Sequence, residues 1–447
     1  MNFLEYINKY EKEAIETLQK VLQIDSVLDE TTIGEGAPFG VGIKKALETF
    51  LDIASKDGFK TLNDEGYAGV IEYGEGDESI GVLCHLDVVP TGSNWIYPPF
   101  SATINDGKIY ARGAMDDKGP TVAAYYALKM IKDLGIKLNK KIMLILGTDE
   151  ETGWRGINHY KTKYGLPDVG FAPDADFPLI YGEKGILNTI MTSDEVDDDI
   201  VYVKGGERFN VVIDFVEAAT LKDHQEDFKD YLTKNNLDGN VTKTNNMYVY
   251  SIKGVSAHAM EPFKGINAGT HMLNFLSNFT NNKLVKFGAL LHEDYYLKNL
   301  NVNYEHKEMG VLTCNIGIID INNESSKLTL DMRYPTGFDK ENFKQALNTT
   351  NLTYNIVADK EPHYIEPSDS LVTTLYDAYV KYTKDLVNKP KTIGGGTYAR
   401  ALKKGVAFGM EMPGSVSVVH QPNEYLVIEE FLKGIAIYAE AIYQLGK

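Results

Sequence analysis

Two short runs constrain the fold more than anything else in this 447-residue chain. Ile80-Gly81-Val82-Leu83-Cys84 and Ile142-Met143-Leu144-Ile145-Leu146 are almost wholly apolar, as expected of strands covered on both faces. Between them, Thr121 to Leu134 has helical periodicity. Strand, helix and strand within ~60 residues is the rhythm of a parallel α/β sheet. Upstream, Leu4, Ile7, Tyr10, Ala14, Ile15, Leu18, Val21 and Leu22 recur at helical spacing, followed by a second helical run near 41–54 and a strand-like Val70–Tyr73.

The rhythm changes near residue 184. From about 201 to 360 the pattern predicts a strand (Asn210–Ala218), a helix (Leu221–Leu232), a hairpin (Val241–Ile252), a helix (Ala268–Phe279), two strands (Val311–Gly317 and Lys327–Arg333), a helix (Lys340–Leu347) and a strand (Leu352–Val357), with an acidic linker at Asp194–Asp199. Beyond it come an amphipathic helix capped by Pro367-Ser368-Asp369, a strand-like Val406–Phe408, and a last helix from Ile428 to Leu445. The simplest architecture is an α/β domain built from about 1–184 and 365–447, interrupted by an inserted α+β lid at about 185–364.

Composition excludes several classes of function. The chain is 43% hydrophobic and 24% charged, as a globular protein is, and its net charge of −18 argues against nucleic acid or an anionic membrane as partner. Cys84 and Cys314 lie far apart without Cys-x-x-Cys spacing, so neither a disulfide framework nor a cysteine zinc knuckle is expected. The first residues lack the apolar run of a signal peptide, and no stretch approaches the ~18–20 apolar residues of a membrane span. The cytoplasm is the expected location.

Acidic and histidine residues gather beside the predicted strands. His85 and Asp87 end the first apolar run two residues apart, on one face of a strand, where Asp87 could accept the second ring N–H of His85. Asp116 and Asp117 stand in Gly113-Ala114-Met115-Asp116-Asp117-Lys118-Gly119 before a helix, a place where a cap is the ordinary reading. Asp149, Glu150 and Glu151 follow the second apolar run, and three consecutive acids repel one another unless cations are present. Asp174 and Asp176 lie in Pro173-Asp174-Ala175-Asp176, and His420 comes late in the chain. In open α/β sheets ligands bind beyond the carboxyl ends of strands. Imidazole with carboxylate and no thiolate suits zinc or manganese, and the count is enough for two ions. Two ions ~3.5–4 Å apart can clamp an attacking hydroxide and a carbonyl oxygen.

In this order the motifs resemble those of the di-metal exopeptidase family of aminoacylase, carboxypeptidase G and dipeptidase V, over essentially the whole chain and with most similarity to the dipeptidase V branch. The resemblance implies a zinc-peptidase fold of the phosphorylase/hydrolase-like type, with a mostly parallel sheet. It implies that His85 and Asp174 hold one metal, Glu151 and His420 the other, that Asp116 bridges both, and that the Asp116–Asp117 peptide is cis. Glu150 would be the general base, with Asp87 supporting catalysis. Spacing alone separates neither Glu150 from Glu151 nor Asp174 from Asp176. In the lid, Asn210 and His258 would polarise the scissile carbonyl, and Arg333 would grip the substrate carboxylate in a bidentate pair. Gly394-Gly395-Gly396-Thr397 lacks the Gly-Lys-Ser/Thr of a phosphate loop. In the family a similar turn holds substrate through backbone amides, which points to Gly395.

Cys84 reads as a buried small hydrophobe. His159, His224, His271, His292, His306 and His363 have no spaced partner and read as surface or core residues. The expectation is a metal-dependent dipeptidase whose lid closes over a dipeptide. Two alternatives stay open: an N-acyl amino acid amidohydrolase on the same metals, and an inactive peptide-binding relative. A long, doubled lid accompanies monomeric dipeptidases in the family, which favours a monomer.

Overall fold

The computed structural model describes all residues 1–447. The chain forms two compact units: Met1–Tyr181 with Ile365–Lys391 and Gly396–Lys447, and Gly182–Tyr364 with Thr392–Gly395.

The first unit is built on a sheet whose core is parallel. Lys141–Gly147, Ser79–His85, Val169–Ala172 and Lys404–Ala407 run side by side in one direction. The hairpin Lys60–Asp64/Ala68–Tyr73 adds antiparallel strands at one side. Both apolar runs are central strands, and Val82, Leu83, Cys84, Ile145 and Leu146 are sealed from solvent. Each large aliphatic side chain so buried contributes about 1.5–3 kcal/mol. The helix Lys118–Asp133 is buried from Lys118 to Ile131. Its Ala123, Ala124 and Ala127 admit close neighbours, and it packs against the helices Ile7–Leu22 and Ile428–Gly446. Parallel register sets His85 opposite Gly147, so the loops leaving these strands emerge at the same edge.

The second unit is an eight-stranded sheet, antiparallel throughout, in the order Asp238–Thr244, Met247–Lys253, Phe215–Thr220, Ile200–Gly205, Thr313–Asn322, Ser326–Tyr334, Gly185–Ser193, Thr353–Lys360. One core cluster joins the sheet to four helices, through Phe228, Met272, Leu276, Leu284, Val285, Phe343 and Leu347 among others.

Three elements here were not expected from the sequence: the strands Gly185–Ser193 and Ile200–Gly205 and the helix Lys283–Leu290. The first alternates in burial as a half-covered strand should, but places Thr189 inside while Ile186 and Ile190 are partly exposed, which blurs its hydrophobic signal. The strand expected from Asn210 begins instead at Phe215. The backbone between them bonds to the 254–259 segment, with Val212 N–H on Ala257 O and Ala259 N–H on Asn210 O, so those residues lie outside the ladder. No helix is long and apolar enough to cross a membrane.

Candidate metal centre

Five chain segments of the first unit bring their acids and imidazoles together. His85 ends its strand with its ring fully buried. Its Nε2 lies 3.0 Å from Asp116 Oδ1 and 3.9 Å from Asp174 Oδ1. The other oxygen of Asp116, Oδ2, lies 2.9 Å from Nε2 of His420, which is also 3.0 Å from Glu151 Oε1. Asp116 thus presents one oxygen to a His85–Asp174 pair and the other to a His420–Glu151 pair. His85 also groups with Glu150 and Asp174 at metal-ligand spacing.

The neighbouring acids have other tasks. Asp149 is held by Arg155 through two side-chain bonds of 2.8 and 2.7 Å. Asp176 is ion-paired with Lys391 and half-exposed. The structure therefore brings Asp174, and not Asp176, into the cluster. The Asp116–Asp117 peptide is cis.

One expectation is corrected. Nδ1 of His85 bonds the main-chain oxygen of Asp87 at 2.9 Å, while the Asp87 carboxylate stands 3.5 Å away. That carboxylate instead accepts the backbone N–H groups of Glu150 and Glu151, each at 3.1 Å. Two orphan donors in the turn after a buried strand need acceptors, and Asp87 supplies both.

Three positioning residues were missed in the sequence. Glu424 is fully buried; it accepts the N–H groups of Gly113, Met115 and Asp116 and pairs with Arg112 at 2.6 Å. It fixes the loop that carries Asp116. Asp117 accepts the backbone N–H of His85 and the hydroxyl of Thr121. Trp154 donates its indole N–H to Glu150 at 3.2 Å. Lying four residues beyond Glu150 and being one of two tryptophans in the chain, Trp154 carried the single local signal.

Packing shapes the floor of the cluster. Tyr398 lies edge-on to His85 and to Trp154. A Cβ at Gly147 would stand 2.4 Å from the Tyr398 ring, so only glycine fits at that strand end.

Electrostatics show what the site lacks. Burial pulls the His85 ring towards neutrality, but the Asp116 and Asp87 carboxylates beside it outweigh burial and hold its pKa well above the ordinary range. Hydrogen bonds to Asp116 and Glu151 push His420 up to about 10. Burial, then the Asp116 charge, raise Asp174 and Glu151. Burial, with Glu151 and Asp116 adding to it against the pull of His85, pushes Glu150 up to about 8. Asp116 goes the other way, lowered by His420 and His85 against the effect of burial. Four carboxylates, Asp116, Glu150, Glu151 and Asp174, thus face two imidazoles in a buried cluster, a balance suited to cations. The mixed N/O donor set, with no thiolate among the cluster, fits divalent ions of the zinc or manganese class.

The remaining candidates lie in the second unit. Asn210 is exposed in its loop. His258 Nδ1 accepts the N–H of Met260, which leaves the ring proton on Nε2 as a donor; burial and then Arg333 lower its pKa. Arg333, buried at 5% exposure, is not the surface charge a strand end ordinarily carries. Its Nε and Nη2 bond Asp331 at 2.5 and 2.9 Å, and its Nη1 bonds the Gly394 oxygen, beside Gly395. A buried guanidinium needs a counter-charge, and with the Nε edge taken by Asp331 only the Nη1/Nη2 end is left for another carboxylate.

The sequence profile of peptidase family M20/M25/M40 matches residues 81–444. Over the full length of both chains, the protein is 39% identical to "Putative dipeptidase YtjP" of Bacillus subtilis (strain 168). Its fold is similar to that of human carnosine dipeptidase 1, with TM-score 0.59, 14% identity and coverage of 99% of this chain and 98% of that one. It is equally similar to aminoacylhistidine dipeptidase of Vibrio alginolyticus, with TM-score 0.59, 13% identity and coverage of 97% and 96%. The chain belongs to peptidase family M20/M25/M40 and is a metallopeptidase.

Proposed function

We propose that the protein is a two-metal dipeptidase acting in the cytoplasm as a monomer. The observation that carries this reading is the split coordination of Asp116, one oxygen towards His85 and Asp174 and the other towards His420 and Glu151. The name of the 39%-identical relative supports dipeptides as the substrate class.

His85 and Asp174 would hold one ion, His420 and Glu151 the other, with Asp116 shared. Two such ions, zinc or manganese, supply Lewis acidity for the attacking water and the scissile carbonyl. Glu150 takes the proton from that water and passes it to the leaving amine. Burial makes it a stronger base than a solvated glutamate, and the Trp154 indole fixes one of its oxygens. Asp87 acts as a support, tying down the backbone of Glu150 and Glu151.

The second unit supplies substrate-binding groups. The Nη1/Nη2 end of Arg333 takes the peptide's free carboxylate as a bidentate pair. Nε2–H of His258, with Asn210, donates to the oxygen on which negative charge develops. The N–H of Gly395 adds a backbone contact.

The test is a panel of dipeptides, assayed before chelation, after it, and after re-addition of zinc or manganese, with metal content measured in parallel. Hydrolysis should vanish with the metal and return with two equivalents per chain. Turnover of N-acetyl amino acids in preference to dipeptides would replace this reading with a deacylase. Dipeptide binding without metal-dependent turnover would replace it with a binding protein.

A further inference from the structure

The second unit carries another group of potential ligands, with no part in the peptidase chemistry. His271 lies in the helix Ala268–Leu276, and His292 and Glu293 lie in the turn after the helix Lys283–Leu290. The two imidazoles are 4.4 Å apart between ring centroids, at 65°. One ligand atom from each of the three residues falls within 4.8 Å of the others. Donors about 2.1 Å from a four-coordinate ion stand ~3.4 Å apart, so closing the set takes side-chain movement of about an ångström. Glu293 is exposed, and its side chain can make that adjustment.

The hydrogen bonds around the rings orient them as ligands. Thr270 Oγ1 gives its proton to the Asn267 carbonyl oxygen at 3.1 Å, so towards Nδ1 of His292, 3.3 Å away, it can only accept. That fixes the proton on Nδ1 and leaves the Nε2 lone pair of His292 outward. Nδ1 of His271 meets the hydroxyl of Tyr231 at 3.2 Å, and Asn274 donates to the same oxygen. A ring anchored through Nδ1–H, as at His292, is characteristic of metal-binding histidines, while at His271 the Tyr231 hydroxyl can either give or take the proton.

We propose that His271, His292 and Glu293 bind one zinc-class divalent ion, with water as the fourth ligand. Two imidazoles and one carboxylate match the three-ligand donor set of zinc better than the all-oxygen shells of calcium or magnesium. The ion ties the helix carrying His271 to the turn that ends the helix Lys283–Leu290, and so braces the helical layer over the antiparallel sheet. It takes no part in hydrolysis.

The test is zinc titration of the full-length, metal-stripped protein by equilibrium dialysis, with bound zinc counted by elemental analysis. Wild type should hold one equivalent more than Glu293→Gln and than His292→Ala. Both variants should keep wild-type peptidase activity, and both should lose the rise in melting temperature that the extra equivalent gives. Thr270→Val, which removes the acceptor for Nδ1–H of His292, should weaken that equivalent about tenfold. Should His292→Ala fail to fold, Glu293→Gln decides alone, because its side chain lies outside the core. Equal zinc content in wild type and Glu293→Gln across the titration overturns the proposal.

Discussion

Imidazoles in the two units are driven in opposite directions. In the first unit His85 and His420 are raised by the carboxylates around them, whereas in the second His258, His271 and His292 are lowered, chiefly by burial. The first arrangement has gathered more buried negative charge than its own side chains can balance, so it calls for cations from outside. The second places fewer carboxylates around its rings, so burial prevails over charge and all three are lowered. Support differs as well. Asp116 is steadied by Glu424, more than 300 residues away, while Arg333 takes its counter-ion from Asp331, two residues back on the same face of one strand. A loop-borne charge needs a distant brace, and a strand-borne one finds it in register.

The sharpest way to break this contrast is at Glu150. Glu150→Gln keeps the shape and the Trp154 contact but removes the proposed base, and on that reading kcat should fall about 10³-fold with metal content unchanged. A fall of only a few-fold, read in a steady-state dipeptide assay, would show that the proton is handled elsewhere. Next comes the distant brace. Glu424→Gln leaves Arg112 buried without its charge, which costs about 3–5 kcal/mol, and metal affinity at Asp116 should drop about 10–100-fold. Thermal melts and metal titration read the two effects separately.

The lowered imidazoles make a smaller prediction. With His271 held at about 4 in the folded state against about 6.5 when unfolded, the unfolded chain binds the proton first as pH falls. Stability is therefore full above pH 6.5 and declines towards pH 4, by about 3 kcal/mol at most. Denaturant melts in chelator over that range should show the decline, and His271→Phe should flatten it. The mildest effect is expected at the in-register pair. Asp331→Asn should raise KM about tenfold for a substrate with a free carboxylate and leave kcat near wild type, since the guanidinium is loosened but not removed.

What the sequence made legible follows the same contrast. The strands at 80–84 and 142–146 were readable because double burial writes an unbroken apolar run, and the acids at their ends stand where such strands must deliver them. The braces were not readable. Nothing local marks Glu424 as the acceptor for Gly113, Met115 and Asp116, because that role exists only once residues 309 positions apart have met. His271 and His292 carry no signal in the sequence for a related reason: no motif spans their spacing, and the packing of one helix against the turn after another brings the rings together. The strand Gly185–Ser193 was hidden by Thr189, a polar residue in a fully buried place.

The turn that holds His420 and Glu424 also bears on biosynthesis. A ribosome delivers Asp87, Asp116, Glu151 and Asp174 within the first half of the chain, long before the histidine that completes the second ligand pair and the glutamate that fixes the Asp116 loop. Until that turn is made, the nascent first unit has acids to attract ions but neither the full donor set nor a fixed bridge to hold two of them. On the proposed two-metal reading, a chain ending before residue 420 lacks both groups and is expected to be inactive, which a dipeptide assay of that truncation checks.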